Sequence, residues 1–374
     1  MTSPGRRSES EALHARARSM VRAFELGAAM PESFDTLAVD LARFQAKAVP
    51  GYGRLCAARG VDLARMVRAG DAPAVPTDAF KLAHVFAFDA VDATVTFRTS
   101  GTTLGARGKH FMRDVRTYDA AALVFGRAML ARGLTPPVSV MVIGPSADEA
   151  PDSSLAHMCT EFARVLARGP LPPPTYFVRE GLLDVGGLRA RVAALDPATP
   201  AVVLATSFAL VHVLDALGGE RIALPAGSRV MQTGGFKGKS REIAVDELRR
   251  DAAQTFGVPE RAVVCEYGMT ELSSQFWEAT LVDDDARHGV YVAPPWTRVV
   301  AVDPETLAPV VDGVVGIARI EDLANVDSAF AVLTQDRVKN VAGGFELLGR
   351  APGAPPRGCS IALDEMLSSA EGVR

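Results

Sequence analysis

Short apolar runs alternate along the chain with longer segments in which apolar residues recur at helical spacing. The short runs are typical of buried strands, and the segments between them are typical of amphipathic helices. Repeated strand–loop–helix units predict an α/β fold with a mixed sheet, in which ligands bind at the carboxyl ends of the strands. The strand candidates are residues 93–96, 138–143, 201–205, 228–232 and 262–266.

The two ends of the chain have different patterns. After a disordered tip over residues 1–10, the N-terminal part is expected to be helical, whereas the pattern after residue 297 is typical of β-hairpins. We therefore expect an α/β core with a helical N-terminal part over residues 1–297. A small β-rich subdomain and a C-terminal tail would occupy residues 298–374. The predicted N-terminal helices are Ser10–Leu26, Phe34–Ala48 and Tyr52–Ala69.

Composition excludes several classes of protein. The 374 residues are 48% hydrophobic and 22% charged, with a net charge of −4, which gives no case for nucleic-acid binding. No apolar run is long enough to span a membrane, and the N-terminus lacks a hydrophobic secretion segment, so we expect a cytoplasmic protein. The four cysteines lie far apart without a CxxC pair, so neither zinc nor disulfides are expected.

The loop after the first strand candidate has the composition of a phosphate-binding loop. Phe97–Lys109 reads FRTSGTTLGARGK and is followed by a predicted helix from Asp114 to Arg132, with Asp114 as its N-cap. Glycines allow a close approach to a ligand, and successive backbone N–H groups form an anion-binding concavity. The spacing does not fit the Walker P-loop. A solvated Gly/Ser turn remains the alternative.

The order of residues in this loop resembles the phosphate loop of the adenylate-forming superfamily, which includes acyl-CoA synthetases and luciferases and usually reads TSGTTGxPK. Leu104 stands where that family has a glycine, and residues 106–108 replace its short spacer. Lys109 is the favoured cation for the β- and γ-phosphates, with Arg107 second. The resemblance implies that the phosphates are held by Thr99, Ser100, Gly101, Thr102, Thr103 and Lys109.

A second motif, YGMTE, follows the strand candidate at 262–266. It resembles the superfamily's YGxTE box, in which the tyrosine stacks on adenine, the threonine meets the α-phosphate and the glutamate holds Mg²⁺. The resemblance assigns these roles to Tyr267, Thr270 and Glu271, with Gly268 beside the nucleotide. Attack on the α-phosphorus places charge on phosphate oxygens, which a metal, hydroxyls and a lysine must neutralise.

Weaker motifs in the same order complete the resemblance. Gly234 and Gly235 look like the glycine pair that lines the adenine pocket. Asp336 matches the ribose-binding aspartate of the TGD motif, although Gln335 replaces its glycine, and Arg350 matches a later arginine that meets ribose or phosphate. A Gly-Gly pair, or an isolated aspartate or arginine in a turn, is otherwise unspecific.

Two further segments permit two interpretations each. The segment at Thr77–Lys81, TDAFK, supplies either substrate contacts or, as we favour, a capped turn with Phe80 in the core. Phe276 and Trp277 line either an acyl pocket or the ordinary core.

The C-terminal segment indicates one branch of the superfamily. Adenylate-forming enzymes usually continue into a lid domain, for which Ala351–Arg374 is too short. RGCS at Arg357–Ser360 resembles the late cysteine of the long-chain-fatty-acid–protein ligases, the acyl-protein synthetases of bacterial bioluminescence. By that resemblance Cys359 accepts the acyl group. We expect an exposed thiol whose pKa is lowered by Arg357 and Arg350. A buried, inert cysteine is the alternative.

These motifs lead to one main functional hypothesis and two alternatives. The first is an acid–thiol ligase that uses ATP and Mg²⁺ to activate a carboxylic acid, with a fatty acid favoured, and transfers the acyl group to Cys359 for delivery to a partner such as an acyl reductase. The second is a ligase whose acceptor is coenzyme A, a carrier protein or an amine. The third is a non-catalytic nucleotide- or acyl-binding subunit, which the departures at Leu104 and Gln335 favour.

Overall fold

The structure is a computed structural model that describes residues 4–99, 107–169, 171, 173–234, 244–351 and 357–367. Within these ranges it contains no helix with the length and apolarity that crossing a membrane requires. The α-helices are α1 (Pro4–Glu25), α2 (Phe34–Ala48), α3 (Pro50–Ala58), α4 (Ala79–Leu82), α5 (Arg116–Leu130), α6 (Ser154–Ala167), α7 (Val185–Ala193), α8 (Ser207–Leu217), α9 (Val245–Phe256) and α10 (Arg357–Leu367).

The strands alternate with these helices along much of the chain. They are β1 (Val75–Pro76), β2 (Val95–Arg98), β3 (Lys109–Met112), β4 (Ser139–Ile143), β5 (Val178–Arg179), β6 (Leu182–Leu183), β7 (Ala201–Thr206), β8 (Arg229–Thr233), β9 (Val263–Tyr267), β10 (Phe276–Glu278), β11 (Val290–Val292), β12 (Thr297–Val302), β13 (Val315–Asp322), β14 (Ala331–Val341) and β15 (Gly344–Arg350).

The chain divides into two compact units that are not contiguous in sequence. Unit 1 comprises Met1–Val124, Met269–Gln275 and Ala293–Arg374, and unit 2 comprises Phe125–Gly268 and Phe276–Val292. The predicted boundary after residue 297 assumed two contiguous domains. In the structure, the C-terminal strands instead group with the N-terminal helices.

Unit 2 is the α/β part of the chain. Strands β4, β7, β8 and β9 lie side by side in parallel, and β10 and β11 continue the sheet in antiparallel orientation. The strands read as nearly continuous apolar runs because they are buried on both faces. Helices α7, α8 and α9 contribute to the hydrophobic core on one face. This arrangement confirms the predicted mixed sheet.

Unit 1 combines the N-terminal helices with antiparallel strands from the C-terminal part. Strands β12, β13, β14 and β15 form successive antiparallel pairs, and β1 pairs in parallel with β14. A buried glutamine joins the two ends of the chain. Gln45 on α2 donates to the carbonyl oxygens of Asn325 and Val326, at 2.8 and 2.9 Å, and accepts from the backbone N–H of Phe330 at 3.0 Å. All polar atoms of its side chain are therefore satisfied although the residue is completely buried.

Four local predictions differ from the structure. The helix predicted over Tyr52–Ala69 ends early, because α3 stops at Ala58 and Gly60 takes a φ of +63°. Helix α1 already begins at Pro4, within the tip expected to be disordered. The loop after β2 does not lead directly into a helix, because Lys109–Met112 returns as β3 and pairs antiparallel with β2. Helix α5 begins at Arg116, whose backbone N–H donates to Asp114 at 2.9 Å, so Asp114 caps a turn just before the helix.

Candidate active site

The described ends of the predicted phosphate loop lie on a β-hairpin in unit 1. Val95–Arg98 pairs with Lys109–Met112, and Thr99 and Gly108 extend this pairing by one position. The Thr99 N–H donates to the carbonyl of Gly108 at 3.0 Å, and the Gly108 N–H donates to the Thr99 hydroxyl at 2.9 Å. The Thr99 side chain therefore helps to join the two strands at this base of the hairpin. The predicted phosphate contacts Ser100, Gly101, Thr102 and Thr103 lie outside the described residues.

The two cations of the hairpin have different environments. The Arg107 guanidinium donates to the carbonyl oxygens of Thr99 at 2.6 Å and Arg98 at 3.2 Å, so it braces the backbone of its own hairpin. Lys109 begins β3 and its side chain is exposed. The role predicted for Lys109 at the β- and γ-phosphates stays a prediction.

A buried histidine connects this hairpin with the YGMTE segment. His110 on β3 is 2.8 Å, through Nδ1, from the carbonyl oxygen of Thr270, and 3.0 Å, through Nε2, from the Ser328 hydroxyl. Burial lowers the pKa of His110 to about 4, so the ring is neutral at physiological pH. Because a carbonyl only accepts, Nδ1 carries the proton and Nε2 accepts from Ser328. The hairpin base and Thr270 are thus held together.

The residues just after Thr270 are anchored from the turn that follows β13. The backbone N–H groups of Ser273 and Ser274 both donate to Asp322 at 2.9 Å. Asn325 donates to the carbonyl of Glu271 at 2.9 Å and accepts from the Ser273 hydroxyl at 2.7 Å. These buried polar contacts fix the backbone on which Thr270 and Glu271 are carried.

Glu271 is a buried acid among charged neighbours of unit 1. Its side chain is 6% exposed, and burial raises its pKa to about 7. The charges of Lys81 and Arg350 oppose this increase, and the charge of Asp336 adds to it. The predicted metal-binding acid, ribose-binding aspartate and ribose- or phosphate-binding arginine therefore lie within electrostatic range of one another.

Asp336 and Arg350 occupy facing positions on neighbouring strands. They are paired residues in the β14–β15 register, which has an irregularity immediately after Asp336. The Thr334 hydroxyl accepts from the Asp336 N–H at 3.0 Å, and Gln335 accepts from the Ala351 N–H at 2.8 Å. Gln335 stands where the superfamily has glycine. Its contact with Ala351 is made by the backbone carbonyl, so it does not depend on the absence of a side chain.

Cys359 contradicts the expectation of an exposed, acidic thiol. It lies in the first turn of α10 and is 2% exposed, with its thiol 3.8 Å from the carbonyl oxygen of Thr334. Burial, with a further contribution from the negative charge of Asp78, raises its pKa to about 12. The predicted lowering by Arg357 and Arg350 was wrong because the helix turns the thiol into unit 1 and not towards solvent.

The residues predicted to bind adenine lie at adjacent strand ends in unit 2. Thr233 on β8 pairs with Glu266 on β9, so Gly234 and Tyr267 both follow directly at the carboxyl ends of neighbouring parallel strands. Gly234 has a φ of +72°, and its carbonyl accepts from the Ser207 hydroxyl at 2.7 Å. Tyr267 packs near Phe276, with ring centroids 5.8 Å apart. Gly268, which follows Tyr267, is partly buried, and Gly235 lies outside the described residues.

Phe276 and Trp277 are both completely buried on β10. The Trp277 ring lies 6.0 Å from the ring of Phe162, centroid to centroid. A Cβ on Gly126 would meet Phe162 at 2.3 Å and Trp277 at 3.0 Å, so this part of unit 2 is tightly packed. The assignment of these two aromatic residues to an acyl pocket stays a prediction.

The comparison with protein families identifies the chain. The family described as acyl-protein synthetase, LuxE, matches residues 34–368. The chain belongs to this family. No curated protein matches the chain.

Solved structures similar to this acyl-protein synthetase-family chain are adenylate-forming enzymes. ATP-bound MatB from Rhodopseudomonas palustris has a TM-score of 0.51 and 16% identity, over 71% of this chain and 49% of MatB. The chain therefore spans about half the length of MatB. The 2-hydroxyisobutyryl-CoA ligase in the postadenylation state, in complex with 2-HIB-AMP, has a TM-score of 0.62 and 13% identity, over 84% of this chain and 67% of the ligase. These similarities confirm the predicted fold class.

Four residues that hold the site of this acyl-protein synthetase-family chain were not predicted as functional. They are His110, Asp322, Asn325 and Ser328, and each contacts the hairpin base or the segment that carries Glu271. The available sequence signal was the polar interruption Asp322–Asn325 within a strongly apolar region. Buried polar residues without a local partner often satisfy a distant backbone segment.

If Glu271 is the Mg²⁺ ligand that the YGMTE motif predicts, its raised pKa makes metal binding depend on pH. An oxygen ligand for Mg²⁺ must be ionised, and a carboxyl group with a pKa of about 7 loses its charge as the pH falls. We expect acid-dependent ATP–pyrophosphate exchange at limiting Mg²⁺ to decrease about tenfold from pH 8 to pH 6. Because Mg²⁺ competes with the proton, saturating Mg²⁺ should move the midpoint to lower pH.

The measurement is a pH profile of exchange at two Mg²⁺ concentrations, with the concentration of the Mg²⁺–ATP complex held constant at each pH. Holding that complex constant removes the titration of ATP itself from the comparison. A midpoint that does not move between the two Mg²⁺ concentrations would contradict the assignment of Glu271 to the metal.

Proposed function

We propose that this protein activates a carboxylic acid with ATP and transfers the acyl group to its own Cys359, from which a partner receives it. A fatty acid is the favoured substrate, and an acyl reductase is the favoured partner. The observation that carries the proposal is the His110 bridge. It holds the base of the predicted phosphate hairpin against Thr270, beside a buried acid surrounded by Lys81, Arg350 and Asp336. Family membership supports the same reaction class.

The proposed reaction has two steps. In the first, a carboxylate oxygen of the acid bonds to the α-phosphorus of ATP as the bond between that phosphorus and the bridging oxygen breaks, which releases pyrophosphate. In the second, the sulfur of Cys359 bonds to the acyl carbon, the carbon–oxygen bond of the acyl adenylate breaks, AMP leaves and the thiol proton passes to solvent. The product is a thioester on the protein.

The described residues of unit 1 fit a phosphate-bound Mg²⁺. Glu271 is buried and would supply a hard carboxylate oxygen to the ion. When bound, Mg²⁺ would neutralise charge that develops on the phosphate oxygens. Thr270 would donate its hydroxyl to the α-phosphate, and the hairpin residues Thr99 to Thr103 with Lys109 would hold the β- and γ-phosphates. Asp336 and Arg350 would contact the ribose.

The contacts to the base are assigned by the same family resemblance. Gly234 exposes backbone at the end of β8, and with Gly235 it would line the adenine pocket. Tyr267, followed by Gly268, would stack on the adenine ring. A flat aromatic ring at a strand end is suited to this contact because the adenine base also presents a π-face.

The test is acid-dependent exchange of radiolabelled pyrophosphate into ATP. The purified protein is assayed with Mg²⁺, ATP and a panel of carboxylic acids from acetate to palmitate, with aromatic acids included. We expect exchange with at least one acid and none when the acid is omitted. Exchange that is absent throughout the panel, together with ATP binding by calorimetry, would instead support a non-catalytic nucleotide-binding subunit.

A second candidate function is favoured by the burial of Cys359. A thiol that is 2% exposed with a pKa of about 12 is a poor nucleophile, so the acyl adenylate could pass directly to coenzyme A, a carrier protein or an amine. Labelled acid incubated with ATP and each acceptor separates the two functions. Label that remains on the protein in the absence of acceptor supports Cys359, and label found only on an added acceptor supports the second candidate.

A further inference from the structure

The short helix α4 carries a charged pair that the proposed reaction does not yet use. Lys81 donates to Asp78 at 2.7 Å, and the side chains are 19% and 15% exposed. The other oxygen of Asp78 accepts from the Gln335 side-chain amide at 2.9 Å. An isolated surface pair three residues apart contributes little. Here Asp78 is also hydrogen-bonded to Gln335 on β14, so a tertiary contact fixes the partner of Lys81.

The position of α4 is fixed by the strand before it. Val75 and Pro76 pair in parallel with Val332 and Leu333 on β14, and the Thr77 N–H donates to the carbonyl of Leu333 at 3.0 Å. The segment that leads into Lys81 is therefore continuous with the strand that carries Gln335 and Asp336. The interpretation of this segment as only a capped turn accounts for the buried Phe80 and leaves Lys81 without a role.

The side chain of Lys81 runs along the base of the phosphate hairpin. A Cβ built on Gly108 would lie 3.6 Å from Cγ of Lys81 and 3.0 Å from the Thr99 methyl group. Lys81 is therefore packed on the residues at the base of the hairpin. Its charge also lowers the pKa of Glu271, so the ammonium group lies within electrostatic range of that carboxyl.

We propose that Lys81 contacts a phosphate of the bound nucleotide and that Asp78 is its positioning residue. The proposal rests on the proposed function, because it adds a cation to the same ATP site. An ammonium group has three donors, and the bond to Asp78 uses one of them. A lysine held against the hairpin base is placed to neutralise phosphate charge, whereas Lys109 is exposed on β3.

The geometry also accounts for the glycine at position 108. A side chain there would crowd the Thr99 methyl group at 3.0 Å, whereas its distance of 3.6 Å from Lys81 is an ordinary van der Waals contact. Gly108 thus spares the Thr99 side chain, which bonds to the Gly108 N–H. The same contact distance places the stem of Lys81 directly beside a residue of the first motif.

The experiment compares binding of ATP with binding of adenosine, which lacks the phosphates. Lys81→Met is expected to weaken ATP binding at least tenfold by calorimetry and to leave adenosine binding, measured by saturation-transfer NMR, unchanged. Lys81→Arg should recover part of the ATP affinity. Lys339→Met is the matched control, because Lys339 is also partly buried in unit 1 and paired with an acid, Glu346, at 2.5 Å. It should bind ATP as the wild type does.

The role of Asp78 is tested by a double-mutant cycle. If Asp78 acts by positioning Lys81, Asp78→Asn should weaken ATP binding less than Lys81→Met and should have no added effect in the Lys81→Met background. Additive losses would overturn the positioning role. A wild-type protein that binds no ATP would contradict the proposed function, whereas wild-type ATP affinity in Lys81→Met, with the wild type active, would overturn this inference alone. Equal loss of ATP and adenosine binding in Lys81→Met would also overturn it.

Discussion

Glu271→Gln is expected to lower acid-dependent ATP–pyrophosphate exchange by roughly 10²-fold or more, without lowering the unfolding temperature. The amide has the shape of the carboxyl group and loses its charge, so a metal ligand is removed while packing is preserved. Because burial raises the pKa of this acid to about 7, its ionised form is disfavoured in the folded protein, and that unfavourable contribution grows as the pH rises from 4.5 through 7. At pH 8 the neutral glutamine therefore should not destabilise the protein.

The matched control is Glu321→Gln. Glu321 is also a buried acid of unit 1 with a raised pKa, and it accepts from Arg319 at 2.9 Å, remote in sequence from both motifs. Because burial disfavours its ionised form as well, we expect an unfolding temperature close to that of the wild type and exchange within about twofold of wild type. The measurements are exchange kinetics and thermal unfolding of both variants. Equal losses of exchange in both would remove the support for a special role of Glu271.

Cys359→Ser is expected to abolish formation of a stable acyl-protein while acid-dependent exchange is retained. Exchange reports only the first step, and the thiol takes part only in the second. The measurement is incubation with labelled acid, ATP and Mg²⁺, followed by electrophoresis with and without neutral hydroxylamine, which cleaves thioesters. A hydroxylamine-labile label on Cys359→Ser would show that the thiol assignment is wrong.

Cys56→Ser provides the matched control for this experiment. Cys56 is another buried cysteine of unit 1, and burial raises its pKa to about 11. Its replacement should leave both exchange and acyl-protein formation close to wild type. Since both thiols are protonated at neutral pH in this conformation, alkylation by iodoacetamide should be slow at both positions before nucleotide and acid are added.

The phosphate hairpin shows what sequence reasoning recovered and what it missed. The motif and its position after a strand followed from the glycines and hydroxyls of 97–109. The return strand was missed, although Lys109, His110 and Met112 follow the exposed–buried alternation of a strand. The return strand has only four residues and ends just before the helix that was predicted from Asp114, so it has little periodic pattern of its own. Short strands are set by their partners, and pairing with β2 is not visible in local composition.

The residues around Glu271 show a different limit of prediction from sequence alone. YGMTE led to the prediction of Glu271 as the metal-binding acid through a family pattern, and that role stays a prediction. Lys81, Asp322 and Asn325 act on it from segments that are distant in sequence, through hydrogen bonds and charge. Likewise, the arginine beside Cys359 suggested a lowered pKa, but the orientation of α10 decides that the thiol is buried. Orientation depends on tertiary packing, which one sequence does not encode in a locally readable form.

Unit 1 is assembled from segments near both ends of the chain, and this has a consequence for its synthesis on the ribosome. Gln45 and β1 find their partners only after residues beyond 325 have been translated. At typical elongation rates of about 5–20 residues per second, the stretch between the two parts of unit 1 takes roughly ten to thirty seconds to make. During that interval α1, α2 and α3 lack C-terminal residues that they contact, such as Trp296 beside Phe24 of α1 and helix α10 beside α3. Nascent chains of this protein should therefore depend on chaperones until their last quarter emerges.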